Sequence, residues 1–423
     1  MLEMTRIRAE RNEIIEGLKK RNIDVTETID AVIEKDKQWR AAKTSMESLA
    51  AELNKIAKEI GDLFRQGKAA EAEAAKTRTA ELKQEESTLK AQVEELEGQI
   101  TDLLYQIPNV PNELVKAGKN ELDNETVEEV GQPIPLHGGA LPHWELAKKY
   151  NLIDFELGVK VTGAGFPIYR GKGAKLQRAL IQFFLDEAEK AGYEEFIAPH
   201  VVNEASAYGT GQLPDKEGQM YYIPEDDLYM IPTAEVPLTN IYRDVILPDE
   251  NFSIKLTGYT PCFRREAGSY GAHVRGLNRL HQFDKVEIVR IEHPSNTAKA
   301  LEEMIAHVKG LLEKLGLHYR ILRLCGGDTG FASAMTYDFE VYSAAQEKWL
   351  EVSSCSRFDT FQANRLKLRY KAADKKTYLA HTLNGSALAL PRIMASLMEN
   401  HQTPEGIRVP EVLQRYTGFD LIN

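Results

Sequence analysis

The densest group of residues able to do chemistry in this 423-residue chain lies between Gly258 and Glu287, in the string GYTPCFRREAGSYGAHVRGLNRLHQFDKVE. Arg264, Arg265, Arg275 and Arg279 sit near Glu266 and Glu287 in a pattern that reads as strand, glycine-rich loop, strand. Guanidinium groups remain charged and offer bidentate donors, so such a set suits polyphosphate and carboxylate ligands. The same residues could also form a surface ion-pair network. No Ser/His/Asp or Cys/His constellation is recognisable beside them, which favours chemistry done by positioning and charge stabilisation. His281 reads as a structural strand residue rather than a general base.

Two kinds of periodicity surround this cluster. Ile29, Val32, Trp39, Met46, Ala50, Leu53, Ala57, Ile60 and Phe64 recur at spacings of four and three, with Asp36 and Lys43 interrupting the seam. Leu82, Leu89, Val93, Leu96, Ile100, Leu103 and Ile107 repeat the pattern until Pro108 stops it. Arg65-Gln66-Gly67-Lys68 lies between the two runs, so an antiparallel helical hairpin is predicted, projecting roughly 50 Å. Lys55, Lys58, Arg65, Lys68, Lys76 and Arg78 bring positive charge near its tip, although on this segment alone a solvated coiled-coil face is the simpler reading. After Pro108-Asn109-Val110-Pro111 the texture becomes Pro-, Gly- and polar-rich to about His143 and reads as a linker into a second domain. Beyond it, β-rich runs at Phe196-Ile197-Ala198, Leu228 to Ile231 and Phe283 to Arg290 alternate with helical patterns, clearest at Ala174 to Lys190. No strand is followed by a Gly-rich phosphate turn opening a helix, so an antiparallel sheet with flanking helices fits better than a doubly wound parallel sheet.

Composition narrows the classes. With 43% hydrophobic and 28% charged residues the chain can build a core, and no stretch approaches about 18 uninterrupted apolar residues. The N-terminus lacks the apolar segment of a secretory signal, so a cytosolic protein is expected. A net charge of -11 argues against indiscriminate polyanion binding and leaves only local basic patches for nucleic acid. Cys262, Cys325 and Cys355 form no CxxC pair and read as buried free thiols.

Several strings together carry a resemblance. Phe263-Arg264-Arg265-Glu266, the glycine-rich loop, Arg279 and His281-Gln282-Phe283 resemble motif 2 of the class II aminoacyl-tRNA synthetases. Asn384 to Arg392 resembles their motif 3, and the helix 174–190 with a strand ending at Pro199 resembles motif 1, the dimer-forming element. GTGQLP at 209–214, IPTAEVPLTN at 231–240 and EVSSCS at 351–356 are similar to the seryl branch of that class. The resemblance spans essentially the whole chain. It implies an α+β fold, with an antiparallel-sheet class II synthetase catalytic domain over 111–423 behind an N-terminal antiparallel coiled-coil arm over 1–110 that binds tRNA.

What the resemblance implies residue by residue is specific. Arg264 binds the α-phosphate and the serine carboxylate, Glu266 holds the adenosine half of ATP, and these two with Arg392 are the catalytic set. ATP is also met by Arg265, Arg279 at the γ-phosphate, backbone around Leu280, Phe283 and Arg392 on the two faces of adenine, and the run Glu351-Val352-Ser353-Ser354. Glu351 and Ser354 coordinate Mg²⁺. Thr233, Ala234, Glu235, Arg264, Glu287 and Ser386 bind L-serine, and a site built to bond its hydroxyl rejects alanine by roughly 10⁴ or more. The implied partners are tRNA(Ser), ATP, L-serine and a second copy of the chain, with no membrane; charging of tRNA(Sec) is expected only where the host has such a tRNA. At Ala272-His273 the motif 2 loop departs from the basic-acidic pair common in the family, which puts its acceptor-end contacts in doubt. Rival readings are another class II synthetase, disfavoured because few residues follow motif 3, a paralogue that charges a carrier protein or lacks catalysis, and a purely structural coiled coil, which leaves most of the chain unexplained.

Overall fold

The structure, a computed structural model, describes residues 1–215, 217–267 and 275–423, which divide into two compact units. The smaller comprises Leu2–Glu16 and Asp24–Pro108, and the larger Met1, Gly17–Ile23 and Asn109–Asn423.

In the smaller unit two long helices, Thr26–Arg65 and Ala69–Leu104, run antiparallel about a turn in which Gly67 takes φ +73°, a left-handed conformation suited to glycine. Ile29, Val32, Ala42 and Leu49 from one helix and Leu82, Val93, Leu96 and Ile100 from the other are buried. The Trp39 indole N–H donates to Glu97 at 3.0 Å and Arg78 pairs with Glu52 at 3.7 Å, which fixes the stagger. Three details correct the expected seam. Asp36 does not interrupt it but is buried within it, because Arg8 at 3.0 Å and Arg40 at 2.9 Å neutralise its carboxylate. Phe64, expected inside, is exposed near the tip with the Lys76 ammonium 4.8 Å from its ring centroid. The second helix ends at Leu104, short of Pro108.

The larger unit is built on an eight-stranded sheet whose strands are β1 (Glu125–Val130), β2 (Glu194–Glu195), β3 (Ile254–Phe263), β4 (Gln282–Glu292), β5 (Tyr319–Arg323), β6 (Met335–Ser343), β7 (Lys348–Asp359) and β8 (His381–Ala389). Their order is β1-β5-β6-β7-β8-β4-β3-β2, antiparallel throughout except for the short β2 rung beside β3. Helices Gly171–Lys190 and Thr297–Lys314 supply Leu180, Phe183, Phe184, Leu301, Met304 and Val308 to the main core, where Val286, Ile288, Phe339, Cys355 and Leu383 join them from the sheet. Strand alternation then sends Lys285 and Glu287 to the opposite face. Gly385 shows how close the helical layer comes: a Cβ there would stand 2.9 Å from Cys355 Sγ and 3.1 Å from Met304 Cε. Asn384 and Ser386, its neighbours, therefore point the other way.

Phe196-Ile197-Ala198, read as strand from sequence, is not one. The rung ends at Glu195, only the Phe196 N–H reaches the Thr257 carbonyl at 2.8 Å, Ile197 is 93% exposed, and Pro199 has no N–H with which to continue a ladder. The three cysteines are buried free thiols. Among the described residues no helix is long and apolar enough to cross a membrane.

Candidate active site

Register brings the polar residues of the open sheet face together. Glu287 on β4 lies opposite Gly258 on β3 and Ser386 on β8. It is fully buried, so its carboxylate is tolerable only if bonded throughout. It accepts from Thr233 Oγ1 at 2.7 Å and Asn384 Nδ2 at 3.0 Å, and the Lys285 ammonium pairs with it. The same Asn384 Nδ2 donates to Glu235 Oε2 at 2.9 Å, while Glu235 Oε1 accepts from Gln362 Nε2 at 2.6 Å. Gln362 is held by the Thr210 carbonyl at 3.1 Å and the Thr382 hydroxyl at 2.7 Å. Burial, and then the charge of Glu287, push the Glu235 carboxyl up to about 7. Two carboxylates meet here with a single bonded cation, the Lys285 ammonium on Glu287, an arrangement that favours a ligand carrying an ammonium group.

A second group of residues lies at the end of β3 and β4. Arg264 leaves β3 with its N–H on the His281 carbonyl at 2.9 Å, its Nε on the Pro232 carbonyl at 3.3 Å and its guanidinium 5.2 Å from the Phe283 ring centroid. Glu266 adopts φ +48°, a conformation most side chains avoid, and pairs with Arg279. His281 ties these limbs together through Arg264 O at 3.0 Å and the Tyr221 hydroxyl at 3.3 Å while stacking on Phe166, a structural role. Arg392, in the first turn of helix Leu390–Asn400, donates to Asn278 O at 3.0 Å and to Glu351 O at 2.8 Å, with the Glu351 carboxylate 3.5 Å away. That helix follows Ala389, whose β4 partner is Lys285, so Arg392 and Phe283 flank the same end of the sheet.

Bulges finish the face. On β7, Phe339 of β6 faces Ser353 but Glu340 faces Glu351, so Val352 is the extra residue. In a regular strand Glu351 and Ser354, three apart, would point to opposite faces. With the bulge they lie across from Glu340 and Asp338, residues two apart and hence on one face. Glu340 is paired with Arg320 at 2.6 Å, whereas Asp338 has a buried Oδ1 without a protein partner. Burial and the nearby Glu351 charge raise the Asp338 carboxyl well above its ordinary range.

Residues 1–111 match the family model of the seryl-tRNA synthetase N-terminal domain, and residues 221–401 match that of the tRNA synthetase class II core domain (G, H, P, S and T). The serine–tRNA ligase of Salinibacter ruber is 48% identical over 99% of this chain and 98% of its own length. The chain belongs to the seryl-tRNA synthetase family. The serine–tRNA ligase of Akkermansia muciniphila is 44% identical over 100% of this chain and 99% of its own length. A crystal structure of seryl-tRNA synthetase from Pyrococcus horikoshii complexed with ATP matches with TM-score 0.91 and 31% identity, covering 100% of this chain and 99% of that one.

Of the residues singled out by resemblance to seryl-tRNA synthetases, Thr233, Glu235, Glu287 and Ser386 meet around one network, and Arg264, Phe283, Glu266 and Arg279 meet at the end of β3 and β4. Glu351 and Ser354 share a face, and Arg392 bonds Glu351. Ala234, Leu280 and Val352 are buried among apolar side chains, leaving only their backbone for a ligand. Ser353 Oγ is spent on the Ser386 carbonyl at 2.5 Å, and the Arg265 side chain is exposed. Arg275 turns to Trp144, 4.7 Å from its ring centroid, and to Glu145 at 3.4 Å rather than joining the other arginines. Ala272 and His273 lie outside the described residues. Sequence reasoning gave no role to Lys285, Asn384 or Gln362. Lys285 and Asn384 carried a signal, each standing two residues from a predicted ligand on the same strand; Gln362, in the opening turn of a short helix, carried none.

Proposed function

We infer that this chain is a serine–tRNA ligase, which activates L-serine with ATP to seryl-adenylate and transfers the seryl group to the 3′ end of tRNA(Ser). The observation that carries the reading at the site is the Thr233–Glu287–Asn384–Glu235 network, two buried carboxylates bridged by one amide, with one ammonium on Glu287. It suits a small zwitterion whose ammonium and hydroxyl are both donors. Ser386, opposite Glu287, completes that end.

Arg264 lies between the two halves of the site and fixes the serine carboxylate beside the α-phosphate. The carboxylate oxygen attacks phosphorus in line, the bond to the bridging oxygen breaks, and pyrophosphate leaves. A ribose hydroxyl of the terminal tRNA adenosine then attacks the seryl carbonyl carbon, and AMP leaves. Fixed guanidinium groups meet the charge that develops in both steps without reorganising. Phe283 and Arg392 hold the adenine, Glu266 and the backbone at Leu280 its edge, and Arg265 and Arg279 the outer phosphates.

A divalent cation fits beside them. Among the described residues no group of three or more His, Cys, Asp and Glu side chains could hold a metal by itself. Mg²⁺, however, keeps several waters and takes one or two carboxylates together with substrate phosphates. Glu351 and Ser354 are an all-oxygen pair on the open face, and the unpartnered Asp338 Oδ1 lies beside them. Glu351 and Ser354 would hold Mg²⁺, which would supply positive charge to screen the phosphates.

The arm over residues 1–110 serves the tRNA, and the domain over 111–423 carries the chemistry. The exposed apolar side chains of Val161 and Ile197 are what a second copy of the chain would cover in a homodimer. The cytosol is the compartment assigned, in keeping with three free thiols; tRNA(Sec) is a further acceptor where the host has one. Pyrophosphate exchange with each amino acid in turn tests the reading: serine alone should support it, and tRNA(Ser) should then be charged. Exchange with a different amino acid, or transfer to a carrier protein instead of tRNA, overturns it.

A further inference from the structure

The chemistry above leaves one buried polar cluster unused. Glu399, near the end of helix Leu390–Asn400, is fully buried and so is His143. Glu399 Oε1 accepts from the His143 backbone N–H at 2.8 Å and from Gln346 Nε2 at 2.8 Å, and lies 2.6 Å from His143 Nδ1; its Oε2 accepts from Ser343. On the far side of the ring His143 Nε2 accepts the Leu277 backbone N–H at 2.8 Å. A backbone N–H can only donate, so Nε2 carries no proton and Nδ1–H points at the carboxylate. The imidazole is thus a rigid spacer between an anion and one backbone amide.

That amide belongs to the return limb of the arginine-bearing loop. Gly276, with φ +70°, is moulded on the imidazole, since a Cβ there would stand 2.1 Å from His143 Nε2. A second path from the same carboxylate reaches the next residue: Gln346 Oε1 accepts from Asn278 Nδ2 at 3.1 Å, and the Asn278 carbonyl accepts from Arg392 Nε at 3.0 Å. Leu277 and Asn278 immediately precede Arg279 and Leu280. None of these bonds goes to Thr233, Glu235, Glu287 or Asn384.

We propose that His143, oriented by Glu399, is a positioning residue for the nucleotide half of the reaction, fixing the limb 275–280 so that Arg279 and Arg392 are aimed before ATP arrives. The inference rests on the assignment of those arginines to ATP. Its signature is selective: the apparent affinity for ATP falls while that for serine does not. The experiment is serine-dependent pyrophosphate exchange by the full chain as wild type, His143→Ala, His143→Gln and Leu146→Ala, with thermal denaturation of each. Leu146 is a buried apolar residue of the same short helix and reports general packing loss. His143→Ala should raise KM for ATP about tenfold, the scale of one lost hydrogen bond to a buried backbone group, and leave KM for serine within about twofold. His143→Gln, whose amide oxygen can accept from Leu277, should recover most of that, and Leu146→Ala should lower the melting temperature without moving KM for ATP. Equal shifts in both constants, or the same ATP effect in Leu146→Ala, overturn the inference. Should His143→Ala not fold, Glu399→Gln is read in the same way, with the same split expected and an equal shift fatal. A wild type without serine-dependent exchange would instead sink the functional reading.

Discussion

Glu235 and Glu287 share a single amide donor, Asn384 Nδ2, at 2.9 Å and 3.0 Å. Lys285 pairs only with Glu287, so Glu235 has the weaker claim on charge, and its carboxyl is pushed up to about 7 by burial and by its neighbour. A raised carboxyl is neutral below that value and anionic above it. Binding of a serine ammonium should therefore weaken as pH falls. Between pH 8 and pH 6 the ionised fraction drops about tenfold for a group titrating near 7, and KM for serine should rise by about that factor. Glu235→Gln should show a raised KM that is flat over the interval; a wild-type KM that does not change with pH contradicts the assignment.

Asn384 is the hinge of that pair. Asn384→Ala removes a half-buried donor from two carboxylates at once, a loss of roughly 1–3 kcal/mol in stability where no water replaces it. The expected result is a melting temperature several degrees lower and KM for serine raised at least about tenfold, with KM for ATP nearly unchanged. Wild-type serine kinetics in this variant would remove Asn384 from the site.

How far the site was legible from sequence depends on range. Motif strings pointed to Glu287, Ser386 and Phe283, which sit on long strands whose alternation sets their faces, and to Arg264, the residue that follows β3. Glu351 and Ser354 were found by resemblance, yet their common face depends on a bulge at Val352 that no local pattern announces. Gln362 and His143 were missed because their significance lies in partners 127 and 256 residues away, Glu235 and Glu399. The hairpin was read correctly in its turn and direction, since heptads are local. Asp36 was misjudged because the arginines that make it buriable, Arg8 and Arg40, are visible only in space. Phe196 to Ala198 has strand composition, but Pro199 and the sheet edge decide otherwise.

In the proposed mechanism Arg264 fixes the serine carboxylate beside the α-phosphate. It leaves β3 with its backbone tied to His281 and its Nε to Pro232, so its guanidinium is aimed before substrate binds. Arg264→Ala should lower the rate of adenylate formation by at least about 10², the scale for removing one preorganised donor to a developing oxyanion. Arg264→Lys keeps the charge but loses the planar fork and should recover only a small part. Pre-steady-state adenylate formation measures both, and near-wild-type rates in Arg264→Ala would mean that the reacting phosphate lies elsewhere.

The arm can be separated from the chemistry by a cut that respects its packing. Trp39 faces Glu97 and Glu52 faces Arg78 across the hairpin, so Lys43 and Val93 stand at about the same level. Excising residues 44–92 and closing the gap with a short Gly-Ser loop keeps Ile29, Val32, Ala42, Leu96 and Ile100 buried at the base while removing Lys55, Lys58, Arg65, Lys68, Lys76 and Arg78. The larger unit has its own core, in which helices Gly171–Lys190 and Thr297–Lys314 cover the sheet, and every proposed adenylation residue belongs to it. Serine-dependent pyrophosphate exchange should therefore remain within about threefold of wild type, since the excision disturbs no preorganised group. Charging of tRNA(Ser) should fall at least about 10², because the positive charge proposed to meet the phosphate backbone is gone. Loss of both activities together would show that the arm serves catalysis itself, and retention of both would show that tRNA is held elsewhere.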